Sequence, residues 1–342
     1  MGVSCKHGLP PGALVTRPIF LVGCPRSGTT LLRDLLRSHP NLTFPPESHF
    51  IPRFYRAYGE PCSGEEAWRL ARRILNNPRI SMQWGIAPEQ SDFAGCRSFS
   101  EVTRRLFEIW AAQEGKARWG DKTPHYVRDI PLLLRLFPDA QVIHIVRDGR
   151  DVALSWLRAR FEPCNLYVAA RMWKEMVTKG RRDGASLPPE TYLELRYETL
   201  LAEPEATMRN VCAFLNEPYC AAVLSLNRIP PEPWRDIPGP KSPAFANGIV
   251  RDNGGRWRSG MSLGQKALFE SVAGALLAEL GYPVEGLART LSRGETLFWE
   301  AGHQTCFVAR TLWRLRRLYF RRAARSLGWA MLRRYLRRPA SE

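Results

Sequence analysis

Residues 19–30 read Ile-Phe-Leu-Val-Gly-Cys-Pro-Arg-Ser-Gly-Thr-Thr, an apolar run that leads through a glycine-containing turn into a helical pattern. Such a turn offers backbone N–H groups and a helix N-terminus to an anion. The spacing matches the P-loop that binds nucleoside triphosphates, but Thr29 stands where the lysine that reaches the β- and γ-phosphates belongs. The stretch therefore predicts a loop that binds a phosphorylated nucleotide without γ-phosphate chemistry.

The composition of the chain is that of a folded protein. It has 342 residues, of which 44% are hydrophobic, and 11 tryptophans, which argues against disorder. Alternating strand and helix patterns favour one α/β domain over residues 17–285. An N-terminal extension over residues 1–16 precedes this domain, and an arginine-rich tail over residues 286–342 follows it.

Cysteine usage and the N-terminus indicate the compartment. Eight cysteines are scattered, with no Cys-x-x-Cys pair and no cluster with histidine at metal-ligand spacing. The sequence therefore predicts neither a metal site nor a disulfide framework. The N-terminal residues do not show a charged segment followed by a long apolar stretch, so neither a secretory signal nor a signal anchor is expected. These features favour a reducing, cytoplasmic setting.

Two apolar runs flanked by helical patterns predict buried parallel strands at residues 17–23 and 141–146, and a strand-like run predicts a third strand at residues 192–197. Helices are predicted at residues 28–38, 124–137, 204–215 and 263–280, with several more between 64 and 116 and a loop over 230–260. The order of these elements indicates an α/β fold with a P-loop-like parallel sheet flanked by helices, helical insertions and a C-terminal basic amphipathic helix.

A second phosphate-binding pattern follows the second predicted strand, where residues 146–151 read Val-Arg-Asp-Gly-Arg-Asp. Arg147 and Ser155, two turns into the next helix, could converge on one phosphate, because a guanidinium donates two hydrogen bonds to phosphate oxygens. Ligands of open α/β sheets bind at this edge. An arginine–aspartate pair here also suits a structural salt bridge. Together with the loop that lacks lysine, it indicates two phosphate sites, one for each end of a nucleotide.

These motifs match a known family. Residues 25–30 and 147–155 resemble the 5′-phosphosulfate loop and the 3′-phosphate motif of sulfotransferases that use 3′-phosphoadenylyl sulfate. Residues 196–200 and 255–258 add two weaker likenesses, so the resemblance covers about residues 17–260. Residues 39–41 and 47–53 are similar to the branch of protein-tyrosine sulfotransferases and bacterial relatives.

The resemblance implies 3′-phosphoadenylyl sulfate as the donor. This donor has no γ-phosphate, so the loop needs no lysine to bind one. The resemblance implies that Ser27, Gly28, Thr29 and Thr30 hold the 5′-phosphate through their backbone and the threonine hydroxyls, and that Arg26 faces the sulfuryl group. It also implies that Arg147 and Ser155 hold the 3′-phosphate, that Tyr197 lies near the adenine and that Arg256 closes over the 3′-phosphate.

Sulfuryl transfer to a hydroxyl needs a base near the acceptor oxygen and an acid or cation near the leaving oxygen. The resemblance implies Glu47 as the base. Glu47 also opens a short amphipathic stretch to Tyr58, where an acid suits a helix N-terminus. His49 is the rival base, although in a helix it would point away from Glu47.

Residues 120–125 read Gly-Asp-Lys-Thr-Pro-His and resemble a segment of related sulfotransferases whose lysine approaches the leaving oxygen. This implies Lys122 as the catalytic cation or acid, with a merely solvated charge as the alternative. Thr123 is also expected to cap a helix that begins at Pro124.

The tail concentrates the charge of the chain. Residues 303–342 contain eleven arginines, no lysine and one glutamate, so they carry +10 of the formal +17. One helical stripe comprises Arg310, Arg314, Arg317, Arg321 and Arg325, and another comprises Val308, Leu312, Leu315 and Tyr319. Such a helix cannot span a bilayer but is typical of segments that lie on anionic lipid. Docking on the protein itself or on a second subunit stays open, and no nucleic-acid module accompanies the charge.

Two other function classes remain at this stage. One is a P-loop kinase or NTPase, which Thr29 and the lack of an evident magnesium carboxylate disfavour. The other is a catalytically inactive nucleotide-binding protein that acts as a membrane scaffold. The acceptor is open among protein tyrosine, a sugar, a lipid and a small metabolite.

Overall fold

Five parallel strands form one sheet in the order β2-β3-β1-β4-β5. The computed structural model describes residues 17–61, 63–159, 163–225 and 253–336. The strands are β1 (Ile19–Gly23), β2 (Leu42–Thr43), β3 (Arg118–Lys122), β4 (Gln141–Val146) and β5 (Tyr192–Arg196). Because neighbouring strands are parallel, their connections must cross over the sheet, and the helices lie in these crossovers.

The helices of the described ranges follow the strands in chain order. They are α1 (Thr29–Arg37), α2 (Ile51–Tyr58), α3 (Gly64–Leu75), α4 (Pro78–Gln83), α5 (Phe99–Gln113), α6 (Ile130–Leu136), α7 (Gly149–Ala159), α8 (Leu166–Gly184), α9 (Tyr197–Ala202), α10 (Pro204–Leu215), α11 (Trp257–Gly260), α12 (Leu263–Glu279) and α13 (Arg293–Leu336). Short 3-10 segments lie at Gln90–Phe93, Pro124–Arg128 and Ala221–Leu224. The predicted α/β class and the three predicted strands are confirmed.

The central strand β1 is buried on both faces. Phe20 and Val22 belong to one hydrophobic cluster, and Ile19 and Leu21 belong to the other, because side chains alternate along a strand. Helices α3, α5, α7, α8 and α12 contribute to the first cluster, and α1, α9 and α10 contribute to the second. The sheet is therefore the middle of three layers.

Strand β3 was not predicted from the sequence, because most of its residues are polar. Its residues read Arg-Trp-Gly-Asp-Lys, yet all five are buried. The Arg118 guanidinium donates to the carbonyl oxygens of Arg17 at 2.7 Å and Leu215 at 2.6 Å, which offsets the cost of burying this charge. A pattern based on apolar residues cannot detect a strand whose buried polar groups have partners elsewhere in the fold.

Two predicted helical stretches differ from the structure. Residues 124–137 divide into the 3-10 segment Pro124–Arg128 and helix α6, and the Thr123 hydroxyl donates to Asp121 Oδ1 at 2.8 Å instead of capping. In the stretch from Glu47 to Tyr58, helix α2 begins only at Ile51. Of the predicted loop over 230–260, residues 230–252 lie outside the described residues, and α11 is a single turn of helix near its end.

Helix α8 runs antiparallel to β4, and three close approaches define its direction. Trp173 Nε1 donates to the carbonyl oxygen of Arg147 just beyond β4, at 3.1 Å. About two and three turns further on, glycines meet positions nearer the amino edge of the sheet: Gly180 meets His144 of β4, and Gly184 meets Tyr192 at the start of β5. The N-terminal turns of α8 before Trp173 therefore stand beyond the carboxyl edge of the sheet.

The approach at Gly180 predicts a stability difference between two glycine substitutions. A Cβ at Gly180 would lie 2.5 Å from Val127 Cγ2 and 2.7 Å from His144 Cε1. We expect Gly180→Ala to lower the free energy of unfolding by about 1–3 kcal/mol through overpacking. Gly274→Ala in α12 is the matched control, because its Cβ would meet Glu270 Cβ only at 3.5 Å. That variant should gain up to about 1 kcal/mol in helix propensity. Chemical denaturation measures both, and equal effects would contradict the proposed packing.

Candidate active site

The glycine-rich loop joins the end of β1 to the start of α1. The Ser27 N–H donates to the Cys24 carbonyl at 3.1 Å, and Gly28 has φ 94°, a left-handed conformation that favours glycine. A Cβ at Gly28 would lie 2.2 Å from Tyr197 Cδ2. The tyrosine ring thus packs directly on the backbone of the loop, and only glycine allows this approach.

Among the buried polar groups that lack a hydrogen-bond partner within the described residues, two belong to the predicted phosphate sites. The Ser27 hydroxyl is fully buried and unpaired, and so is Nε of Arg147, whose residue is 7% exposed. Buried polar groups in folded proteins are normally hydrogen-bonded. An anion that accepts hydrogen bonds would satisfy both, so the residues present fit a phosphorylated ligand.

Arg26 contacts both Ser155 and Arg147, the two residues that the sequence predicts for the 3′-phosphate. Arg26 Nε donates to Ser155 Oγ at 2.9 Å, and Arg147 Nη1 donates to the Arg26 carbonyl at 3.2 Å. Burial and then the neighbouring Arg147 charge lower the pKa of the Arg26 guanidinium. Two cations held this close repel each other, and a bound polyanion would relieve that repulsion. Arg26 has φ 75°, which is uncommon for a residue other than glycine.

Tyr197 lies between the loop and Arg147. The Arg147 guanidinium carbon is 4.4 Å from the tyrosine ring centroid, and Asn253 Nδ2 donates to the tyrosine hydroxyl at 2.6 Å. Burial raises the pKa of the Tyr197 hydroxyl, so it stays protonated. The tyrosine therefore supports both predicted phosphate sites at once.

Asp151 holds the segment 255–257 in place, a role that was not predicted from the sequence. Its carboxylate accepts from the N–H groups of Gly255 at 2.8 Å and Trp257 at 2.9 Å. It also lies 3.6 Å from Arg147, one helical turn earlier. Arg256, between the two tethered residues, has an exposed side chain next to this cluster. The only indication of this role in the sequence was that residues 146–151 contain a second aspartate, Asp151.

Glu47 lies between two basic side chains. Its Oε1 accepts a short hydrogen bond from Lys122 Nζ, and its Oε2 pairs with His49 Nε2 at 2.7 Å. Burial would raise the pKa of Glu47, but the Lys122 ammonium and the His49 hydrogen bond outweigh it and hold that pKa well below its ordinary value. The Lys122 side chain is only 4% exposed, so the solvated-charge interpretation is wrong.

His49 points toward Glu47 because the chain is not helical there. Residues 47–50 precede α2, and His49 itself has φ 51°. The expectation that a helix would separate the two side chains is therefore wrong. The sequence offered no signal for this turn, since a positive φ is uncommon at any residue other than glycine.

A buried hydrogen-bond network holds the segments that carry Glu47 and Lys122 together. Ser48 Oγ lies 2.7 Å from Tyr126 Oη and donates a short hydrogen bond to Asp121 Oδ2, while Thr123 donates to Oδ1. Burial raises the pKa of Asp121 to about 6, and the bonds from Ser48 and Thr123 oppose part of that rise. The network links the segment before α2 to the end of β3, and so holds Glu47 against Lys122.

The sheet register brings these groups to one edge. Leu21 of β1 is paired with Lys122 of β3, and Gly23 is paired with Ile145 of β4. The loop, Lys122 and Arg147 therefore lie at or just beyond three adjacent strand ends. Open α/β sheets bind their ligands at this edge.

The chain belongs to the sulfotransferase family, whose model matches residues 18–220. Protein-tyrosine sulfotransferase 1 of Danio rerio is 29% identical over 213 residues, which are 60% of this chain and 55% of that protein. The chain spans about half the length of the curated relatives it matches.

Two solved structures share the fold. The sulfotransferase domain from the Synechococcus PCC 7002 olefin synthase is 26% identical, with a TM-score of 0.53 over 78% of this chain and 98% of that one. The sulfotransferase domain from the curacin biosynthetic pathway is 23% identical, with a TM-score of 0.56 over 79% of this chain and 99% of that one.

The raised pKa of Asp121 predicts a pH effect on stability. The folded state holds this proton more tightly than the unfolded chain, so its contribution favours folding at low pH and is lost as the pH rises from about 4 to about 6. Asp121→Asn lacks this titration. Relative to that variant, the wild-type free energy of unfolding should fall by up to roughly 3 kcal/mol across this window. Denaturant titrations at several pH values measure the difference, and parallel curves would contradict the assignment.

Proposed function

We propose that this protein transfers a sulfuryl group from 3′-phosphoadenylyl sulfate to an acceptor hydroxyl. The observation that carries the proposal is the pairing of Glu47 with Lys122 at the same edge as two phosphate-competent clusters. The first cluster is the loop with the unpaired Ser27 hydroxyl, and the second is Arg26, Arg147 and Ser155. Relatives named protein-tyrosine sulfotransferases support the same reaction class.

In this proposal the nucleotide lies across both clusters. The 5′-phosphate accepts from the backbone of residues 27–30 and from the hydroxyls of Ser27, Thr29 and Thr30. The 3′-phosphate lies against Arg147 and Ser155, where a planar guanidinium suits its oxygens. Tyr197 borders the adenine, and Arg256 closes over the 3′-phosphate. No metal takes part.

Lys122 and Arg26 stabilise the charge that develops on the leaving oxygen. When bound, the donor supplies an activated sulfuryl group whose departure leaves adenosine 3′,5′-bisphosphate. An interaction of the Lys122 ammonium with that oxygen weakens its contact with Glu47, and this change raises the basicity of the carboxylate. Donor binding therefore prepares Glu47 to accept the proton of the acceptor hydroxyl.

His49 is the second candidate for the base. With its Nε2 bonded to Glu47 Oε2, its Nδ1 is the atom that would take the proton, and the carboxylate would stabilise the resulting imidazolium. One observation supports this second candidate: Lys122 holds the pKa of Glu47 low, so Glu47 is a weak base in the absence of donor.

Two neutral variants separate these roles. Glu47→Gln should lower kcat for labelled-sulfate transfer by roughly 10²–10⁴ if Glu47 is the base. His49→Gln should then lose less activity, since it removes only a hydrogen bond. Near-normal turnover of Glu47→Gln would reject Glu47 as the base, and a deeper loss in His49→Gln would assign the proton transfer to His49. Binding of the bisphosphate should change little in either variant, which serves as the folding control.

Nucleotide preference separates the sulfotransferase from a kinase. We expect adenosine 3′,5′-bisphosphate to raise Tm more than ATP does, because only the former places a phosphate on Arg147 and Ser155. Ser27→Ala should leave the unliganded Tm almost unchanged, since its hydroxyl has no partner in the described protein, and weaken bisphosphate binding about tenfold. A preference for ATP would contradict the proposal.

Transfer of labelled sulfate tests the scaffold alternative. The acceptor class is open among protein tyrosine, a sugar, a lipid and a small metabolite, and extracted lipids, glycans and peptides should each be screened. Binding of the bisphosphate without transfer to any of them would favour an inactive nucleotide-binding scaffold.

We also propose where the protein acts and how it is divided. Residues 17–285 form the catalytic domain, and residues 286–342 form a tail whose basic helix contacts an anionic membrane surface at the cytoplasmic face. Among the described residues, no helix combines the length and apolar character needed to cross a bilayer. The proposal therefore concerns a helix that lies on the lipid, and it includes no nucleic acid.

A further inference from the structure

The first turns of helix α13 dock on the domain. Asn165 Nδ2 donates to the Trp299 carbonyl at 2.7 Å, and the Cys164 N–H donates to His303 Nδ1 at 3.2 Å. Arg171 and Glu300 add an ion pair at 3.2 Å. All three contacts are made to the N-terminal end of α8 or to the two residues that precede it.

This docking point lies on the side of the active site. Trp173 of α8 is level with Arg147, at the carboxyl edge of the sheet, and α8 runs from there toward the amino edge. Residues 164–171 therefore stand beyond the edge that holds the phosphate loop. Helix α13 leaves the domain from that side.

The remainder of α13 has the composition of a helix that binds lipid. Residues 304–336 extend for about 50 Å at the rise of an α-helix, and they contain nine arginines and no lysine or acidic residue. Apolar side chains are exposed where the helix leaves the domain, with Phe307 39%, Val308 52% and Leu312 61% exposed. Val308 and Leu312 open the apolar stripe that continues in the sequence with Leu315 and Tyr319.

Charge complementarity selects the surface that covers this helix. A second copy would place arginine against arginine, because this segment has no acidic residue to pair with them. A nucleic acid would neutralise the arginines but leave the apolar stripe in water. An anionic bilayer satisfies both, since the apolar side chains enter the acyl boundary while the arginines meet lipid phosphates.

We propose that α13 lies on anionic lipid and, through its docking on α8, turns the catalytic edge of the sheet toward the bilayer. If the protein transfers a sulfuryl group as proposed, its acceptor is then a hydroxyl carried by a molecule in or on the membrane. An acceptor confined to the bilayer reaches such an edge at a high effective concentration.

Vesicle flotation of the full chain tests the surface. Vesicles of phosphatidylcholine with about one third phosphatidylglycerol should carry the protein, and vesicles of phosphatidylcholine alone should carry far less. Replacing Val308→Ser and Leu312→Ser together should weaken binding at least about tenfold. Met82→Ser is the matched control, because this methionine is 71% exposed but lies in α4. Equal flotation on both vesicles, or a doubled mass in light scattering without flotation, would overturn the proposal.

Energy transfer to a dye in the lipid headgroups tests the orientation. A fluorescent amino acid replaces Thr199, exposed just past the carboxyl end of β5, or Glu190, exposed just before its amino end. The two positions differ by about 15–20 Å along the strand direction. Stronger transfer from position 199 supports the inference, and equal or weaker transfer overturns it. Neither measurement needs turnover, so their failure is distinct from failure of the proposed reaction.

The acceptor class is tested with one chemical group in two settings. N-palmitoyl tyrosine in the anionic vesicles is compared with N-acetyl tyrosine in solution, both with labelled donor. At equal total concentration, the anchored phenol should be sulfated at least about tenfold faster. Equal rates would reject a membrane acceptor. Absence of transfer to either phenol, with the orientation confirmed by fluorescence, would count against the proposed reaction and the acceptor class, and would leave the membrane surface standing.

Discussion

Parallel pairing of β1 with β3 on one side and β4 on the other is the constraint on which the site depends. The register places Lys122 beside Leu21 and Ile145 beside Gly23. Each strand then ends at the same edge, and each is followed by a segment that carries polar residues. A shift of one residue in β3 would move Lys122 to the opposite face of the sheet and separate it from Glu47.

Two neighbouring carboxyl groups differ in pKa because their surroundings differ. Glu47 keeps its negative charge because Lys122 and His49 surround it. Asp121, next to Lys122 in sequence but fully buried on the other face of β3, has a pKa raised to about 6 and hydrogen bonds from two hydroxyl groups. The first is available for acid–base chemistry, and the second holds the segment that carries it.

The motifs that form the two predicted phosphate sites could be recognised in the sequence. The loop before α1, Arg147 after β4 and Ser155 in α7 lie in local patterns of strand, turn and helix, which short-range interactions determine. Strand β3 and the turn at His49 were not readable in this way. Arg118 is stabilised in the sheet by carbonyl groups roughly a hundred residues away in either direction, and His49 adopts a left-handed conformation that its neighbours in sequence do not announce.

The α/β class, the glycine-rich loop without a lysine and the two sets of residues suited to phosphate could all be predicted from the sequence. These follow from local periodicity and spacing, which act within one or two elements. The contact of Arg26 with Ser155, the contact of His49 with Glu47 and the exit of α13 on the side of the active site are visible only in the folded protein. Each of these depends on how distant segments pack, and packing of distant segments is set by the burial of the whole core rather than by any stretch of sequence.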